Sequence, residues 1–520
     1  MTVESPAQLT PARGPALSAQ VQDRPSIAVR CQRVLVIGIV VLALAALTAV
    51  WPALTLIGLG LVLMIALAFV APQFALVGAI LFYGLEGVIK VGIARELPAV
   101  GVSPEAIGAA VIDFAFLVAL LGIVRQDRCR TLLDIWRNVG GWIRVTLALM
   151  AGWIAISLVQ LAVSGDIDAA LAGFRLSQAY VLAVLAGAML LARGRPQHVV
   201  NALVAVLLVI TAYGAFRAVA GPSETERAAS FARSTTALVP SEDGVIYRNS
   251  GSFSSAIGLA SYLVPAGVFL FALGLAFVRL RLATWFGVAL VVVALVGSYV
   301  RTSLVAVAGG VLCAAALLTF AGRLTRRRKI ALGLAAVPLL VVLIGVGALL
   351  PNAVSGGSQA VEQRAGGVLD PLSDPSLTTR VERWRESLDE VQAHPLGTGL
   401  GTVGGATRDD EGKVQAFADN SYLKVLQEQG PLGAVPFMLG IFGLLIAIAA
   451  RVMRAGTALR GLGTAAVTAA ASFFMLAWTS EAIEQPGKVL AWLLLGLALW
   501  AAAGGSQPAR HHARSTGETA

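Results

Sequence analysis

The feature that most constrains this chain is its series of apolar runs, at about 34–50, 53–71, 74–89, 106–124, 145–163, 177–192, 199–216, 254–278, 283–300, 302–321, 330–349, 431–450, 461–480 and 487–503. Each approaches or reaches the roughly 20 residues that a helix needs to cross the hydrocarbon core of a bilayer. Of the 520 residues, 57% are apolar and 13% charged, where soluble domains average about 25% charged. Together with a mean hydropathy of +0.80 this excludes disorder and a purely soluble protein. The expected fold is an all-α polytopic membrane protein with about 12–14 transmembrane helices and a large helical external loop. Residues 1–33 are polar and Pro-rich, and the first apolar run lacks a small-residue cleavage site, so it reads as an uncleaved span rather than a signal peptide.

The net charge of +10 comes from 39 Lys+Arg against 29 Asp+Glu, a balance that on a soluble domain would suggest nucleic acid. Its distribution argues for topology instead. Arg125, Arg128, Arg130, Arg137 and Arg144, then Arg193 and Arg195, Arg279 and Arg281, Arg323 to Lys329, and Arg451, Arg454 and Arg460 all fall in alternate loops on one side. By the positive-inside rule that side, with both termini, is the cytoplasm. Cys31, Cys129 and Cys313 show no metal-binding or disulfide spacing, so neither a disulfide framework nor a zinc site is expected, and no cofactor is expected either. The opposite side receives two long connections, 217–253 and 350–430, and the chemistry is expected there.

In the larger connection, Thr379-Arg380-Val381-Glu382 has the capping-box pattern and predicts a helix start. At 100° per residue, Trp384, Leu388 and Val391 fall within about 80° of Arg380, while Glu382, Glu386, Asp389 and Glu390 lie on the far side. Arg380 on the apolar face requires an anion, either a protein carboxylate, an interfacial lipid group or the phosphate of a substrate. The helix ends at His394-Pro-Leu-Gly-Thr-Gly-Leu-Gly401, where His394 reads as a helix-end residue or a ligand. Gly399-Leu-Gly-Thr-Val-Gly404 matches a dinucleotide fingerprint, but no strand precedes it and the match is a false positive.

Asp419-Asn420-Ser421-Tyr422-Leu423 follows, then Glu428, Gln429 and Gly430-Pro-Leu-Gly433 leading into a span. Asp419 reads as a helix cap or as a general base for an incoming hydroxyl. Arg301 interrupts the long apolar stretch 283–321 at an external turn, as an interfacial anchor or a functional cation. Arg248, in Arg248-Asn-Ser-Gly-Ser-Phe253, introduces another span from outside. Asp113 inside a span and the Glu86/Lys90 pair at i,i+4 are lesser candidates, as proton relays or packing partners, and Glu481 and Glu484 at the external edge read as acceptor contacts or as solvated charge.

Taken in order, Ser298-Tyr-Val-Arg301, Arg380 with Trp384, His394-Pro-Leu-Gly-Thr-Gly-Leu-Gly401, Asp419-Asn-Ser-Tyr-Leu423 and Gly430-Pro-Leu-Gly433 resemble the O-antigen ligase and O-antigen polymerase family over about residues 245–450. The resemblance divides the chain into a cytoplasmic tail 1–33, an N-terminal bundle 34–244, the family-like core 245–450 with the external loop 350–430, C-terminal helices 451–503 and a cytoplasmic tail 504–520. It implies a multi-pass enzyme of the bacterial cytoplasmic membrane. Its donor would be an undecaprenyl-diphosphate-linked oligosaccharide, transferred to a glycan acceptor without nucleotide sugar or metal. Membrane lipid and a chain-length regulator are the further partners implied, and nucleic acid is not. Carried over by position, Arg301 and Arg380, with Arg248, would hold the donor diphosphate. Asp419 would be the base, and His394, Asn420 and Tyr422 would line the acceptor side. Ligases of the family place a His where Asp419 stands, so the resemblance points to a polymerase of exopolysaccharide or capsule type. A ligase acting on a lipid or protein acceptor is the alternative, and a flippase without catalysis is the second.

Overall fold

A computed structural model of the protein describes residues 52–97, 104–191, 196–222, 238–241, 244–320, 375–406 and 418–505. The runs expected at 34–50 and 330–349, both tails up to residue 33 and beyond 505, and the basic residues 193, 195 and 323–329 lie outside the described residues. Contacts divide the chain into residues 1–56 and 57–520. Of the first unit only residues 52–56, in the opening turns of the first helix, are described.

The helices are α1 Pro52–Val70, α2 Pro72–Gly84, α3 Glu86–Glu96, α4 Pro104–Asp127, α5 Arg130–Asn138, α6 Gly141–Val163, α7 Ile167–Ser177, α8 Leu182–Met189, α9 Pro196–Ala220, α10 Ala256–Ala276, α11 Arg281–Ser298, α12 Arg301–Phe320, α13 Pro375–Ala393, α14 Ser421–Val452, α15 Thr457–Leu476 and α16 Gly487–Ala502. Among the described residues, 10 helical segments are long and apolar enough to cross a membrane, or 11 if the bent pair α2–α3 is one span. α7 and α8 form one of these segments through a short 3-10 turn, and α16 is apolar but has only 16 residues. This is a multi-pass helical membrane protein. Every apolar run that falls within the described residues is helical. The one addition is a hairpin of strands β1 Leu238–Ser241 and β2 Gly244–Tyr247 in the 217–253 connection, with Leu238 opposite Tyr247.

α10 is apolar all round and nearly all of its residues are buried, while every residue of α16 is buried, so these two helices form the centre. α1 and α6 show the opposite pattern, with two and five buried residues, as expected of helices facing lipid. Helix starts follow local chemistry. Ser255 accepts the Gly258 N–H at 3.0 Å, Asp166 accepts the Ala169 N–H at 3.0 Å, and Asn420 accepts those of Tyr422 and Leu423 at 2.8 and 3.2 Å.

Two ends of the bundle can be told apart by their hydrogen bonds. At one, the Arg451 guanidinium donates to the Asn138 carbonyl at 3.1 Å, which brings together two of the basic clusters. At the other, the Asn249 N–H donates to Gly297 O at 3.0 Å, the Ser421 N–H to Ala477 O at 2.9 Å, and the Gly487 N–H to Ser261 Oγ at 3.2 Å. The first is the basic end and the second is the motif end.

Two expectations are corrected. The run at 74–89 is not one straight helix, because α2 and α3 meet at a 68° bend around Leu85. The Ser252 hydroxyl donates to the Gly84 carbonyl that the bend frees, and the N–H groups of Gly87 and Val88 donate to Ser252 O at 2.8 and 3.3 Å. The bend is thus held open by the segment that follows Arg248. The second correction concerns α13, which starts at Pro375 rather than at Thr379. Proline at the first helical turn costs nothing there, since its missing N–H would have no intrahelical partner.

Candidate active site

The motif end is built around the break in α14. Gly430 adopts φ 61° and ψ −173°, and Pro431 follows it inside the helix. Proline has no N–H for the carbonyl of residue 427, and the turn at Gly430 releases that of residue 428. Both carbonyls are taken by the glycine loop, for Thr398 N–H donates to Gln427 O at 2.9 Å and Gly399 N–H to Glu428 O at 3.0 Å. The approach is backbone to backbone. A Cβ on Gly397 would lie 2.4 Å from Glu428 O, and one on Gly430 would lie 2.5 Å from Pro395 O. The glycines of the two motifs are therefore required by each other.

Beneath the loop lies a buried charged cluster. Lys424, fully buried, donates to Glu428 Oε1 at 2.5 Å and to Val403 O at 2.6 Å, and its ammonium is 3.1 Å from Glu484 Oε1. Glu428 Oε1 also accepts the N–H groups of Gly401 and Val403 at 2.9 and 3.4 Å, and Glu484 Oε2 accepts that of Gly405 at 2.7 Å. Glu481 Oε1 accepts the Ala418 N–H at 2.8 Å, one residue before Asp419. Burial, and then the neighbouring Glu484, push the Glu481 carboxyl up to about 8, against the pull of Lys424. The reading of Glu481 and Glu484 as solvated charge is corrected, because the two carboxylates are inside and hold the loop. Lys424 itself was missed in the sequence, although its i,i+4 spacing to Glu428 was the signal available.

Asp419 has φ 49°, a left-handed conformation that Asp tolerates better than most residues. Its carboxylate is bound at 2.5 Å by Arg383 on α13. The cap of α14 is Asn420 rather than Asp419, which leaves the Asp419 side chain turned to the arginine. Tyr422 is buried, donates to Phe474 O at 2.7 Å and stacks on Phe442, so it packs α14 against α15. His394 is exposed just after the end of α13, 3.3 Å from Glu390, in the helix-end position.

On α13 the half-buried residues Arg380, Trp384 and Val391 and the buried Ser387 share one face, whereas Leu388 is 44% exposed and falls off it. Among the described residues no carboxylate pairs with Arg380, and the buried indole N–H of Trp384 has no acceptor. A second group forms at the start of α12. Tyr299, at φ 54°, turns the chain from α11 into Arg301, and the Arg248 guanidinium donates to Tyr299 O at 3.2 Å. Arg248 and Arg301 thus share one corner, and Asp419, Arg383 and Arg380 share another part of the motif end.

Residues 286–438 match the family model Wzy_C, described as O-antigen ligase. Over these residues the chain is similar to the O-antigen ligase family. The matched stretch runs from α11 to the second half of α14 and contains Arg301, Arg380, the glycine loop and Asp419. It supports membrane glycan processing of the O-antigen ligase and polymerase type, on a lipid-linked glycan. No curated protein matches the chain.

Asp113 lies outside the matched residues. It accepts from Arg175 Nε at 2.6 Å, from Tyr83 at 2.9 Å and from Tyr180 at 2.5 Å. Lys488 continues the network, with its ammonium 4.2 Å from the Tyr180 ring centroid and bonded to Leu176 O and Glu484 O. Glu86 pairs with Lys90 and also accepts from Ser254 N and Oγ at 3.0 Å each. Both acids are committed to packing between segments.

Proposed function

We propose that the chain is an inverting membrane glycosyltransferase that polymerises undecaprenyl-diphosphate-linked repeats of a surface polysaccharide on the outer face of the cytoplasmic membrane. The observation that carries this reading is the α13 face, where Arg380 and the Trp384 N–H offer donors with no carboxylate partner and no indole acceptor among the described residues, one turn from the arginine that holds Asp419. Donors of this kind suit a diphosphate, and a planar guanidinium suits it best. The acceptor hydroxyl gives its proton to Asp419 as its oxygen attacks the anomeric carbon. The bond from that carbon to the diphosphate oxygen breaks, and the leaving electron pair stays with the diphosphate, whose charge Arg380 and Arg301 stabilise, with Arg248 beside Arg301. Positive-inside orientation supports placing the motif end outside, with both termini in the cytoplasm.

The test uses purified full chain with a lipid-linked repeat and no nucleotide sugar. A ladder of products is expected. Arg301→Ala and Arg380→Ala should each lower the rate by about 100- to 1,000-fold with unchanged protein in the membrane, and Arg380→Lys should also be poor. Full activity in either alanine variant removes that arginine from the mechanism. The description of the matching family favours a ligase as the second reading. That reading predicts transfer of finished glycan to a lipid or protein acceptor, and no ladder. A flippase is disfavoured by Asp113, whose carboxylate is occupied by Arg175 and two tyrosines.

A further inference from the structure

The basic end holds a cavity of about 390 Å³ lined by Ala68, Phe69, Gly122, Arg125, Gln126, Arg128 and Arg130. Three of these residues are arginines, and among the described residues none of the three pairs with a carboxylate. Asp127, the nearest acid in sequence, turns its two oxygens to Thr131 N and Oγ1 at 2.9 and 2.8 Å and so caps the start of α5. The Arg125 guanidinium sits 4.8 Å from the Phe69 ring centroid, and Arg128 and Cys129 adopt φ of 50° and 57°, turning the chain sharply around the cavity.

The surroundings mark the depth. α5 is a short helix with Thr131 and Ile135 buried and Leu133 and Trp136 exposed, the pattern of a helix lying in the bilayer interface. Arg144 packs over Trp136, and Trp142 is 80% exposed beside it, as in the aromatic belt at headgroup level. On α4 the exposed residues Phe114, Leu117 and Leu121 form a stripe that leads to Arg125, and Phe69 and Val70 are exposed at the end of α1. An anion held by the arginines would therefore have an apolar track running from it along α4.

We propose that this cavity binds a phosphate-bearing anion, the headgroup of an anionic phospholipid whose acyl chains follow the exposed stripe of α4. Clustered arginines at a membrane surface each strengthen such binding about fivefold, so three amount to about a hundredfold.

The test is native mass spectrometry of the full chain in neutral detergent, titrated with phosphatidylglycerol or with phosphatidylcholine of the same acyl chains, and then with inorganic phosphate. Preferential retention of phosphatidylglycerol is expected. The R125Q/R128Q/R130Q variant should weaken it about a hundredfold, while R125K/R128K/R130K, which keeps the charge, should stay within about tenfold of wild type. Circular dichroism and gel filtration check that both variants fold. Equal binding of the two lipids, or a glutamine variant that binds phosphatidylglycerol as tightly as wild type, would overturn the proposal. Displacement of phosphatidylglycerol by low-millimolar inorganic phosphate would keep the anion site and overturn its assignment to lipid.

Discussion

Arg380 and Arg383 stand three residues apart on α13 and do different things. Arg383 meets the Asp419 carboxylate, and among the described residues no carboxylate pairs with Arg380. The wheel drawn from the sequence put Arg380 on the packed face correctly, but it could not tell which arginine would reach an acid 36 residues away. Arg383→Ala should misplace Asp419 and lower transfer by about 10- to 100-fold, with Arg383→Lys recovering part of it. Steady-state rates on the lipid-linked repeat check this. Asp419→Asn preserves a residue that tolerates the left-handed backbone and removes only the charge, so a loss of about 100-fold or more is expected. Glu481 gives a separate signature. Its carboxyl is raised from 4.5 to about 8, so the folded state binds the extra proton, and stability falls as pH rises from about 4.5 to 8. Thermal unfolding in detergent should show that decline in wild type and a flatter profile in Glu481→Gln. An unchanged profile would sink the assignment.

The break in α14 makes sense only with the loop that fills it. Gly397→Ala would place a Cβ 2.4 Å from a backbone oxygen at φ +89°, and a loss of about 1–3 kcal/mol with reduced activity is expected. Gly152→Ala, inside α6 where nothing lies within 4 Å of the added Cβ, is the control that should lose no stability in the same unfolding measurement. Lys424→Met leaves Glu428 and Glu484 buried without their cation and should cost about 3–5 kcal/mol. Lys424→Met combined with Glu428→Gln should recover part of it. The helices, the Gly-Pro punctuation and the turn at Tyr299 were legible because each is a local signal. The bend between α2 and α3 was not, because its cause is Ser252, more than 160 residues further along the chain.

Across the whole molecule the hydrogen bonds separate a basic end from a motif end, as alternating loops require. With the native cysteines replaced by serine, Leu396→Cys, at an exposed position of the motif end, should react with an impermeant thiol reagent in intact cells. Arg454→Cys at the basic end should react only after permeabilisation. The reverse pattern would invert the topology. The sequence by itself determined that the chain lives in a membrane, where the helices among the described residues lie and where the turns between them fall. Apolar length, charge clusters and Gly/Pro turns act within a few residues and need no partner to be read. Only the tertiary structure decided that Glu481 and Glu484 are buried, that Lys424 anchors the glycine loop, that Arg383 holds Asp419 and that three arginines line one cavity. Each of these is a pairing between distant segments, and a charge's meaning depends on whether packing supplies its counterion or leaves the place for a ligand.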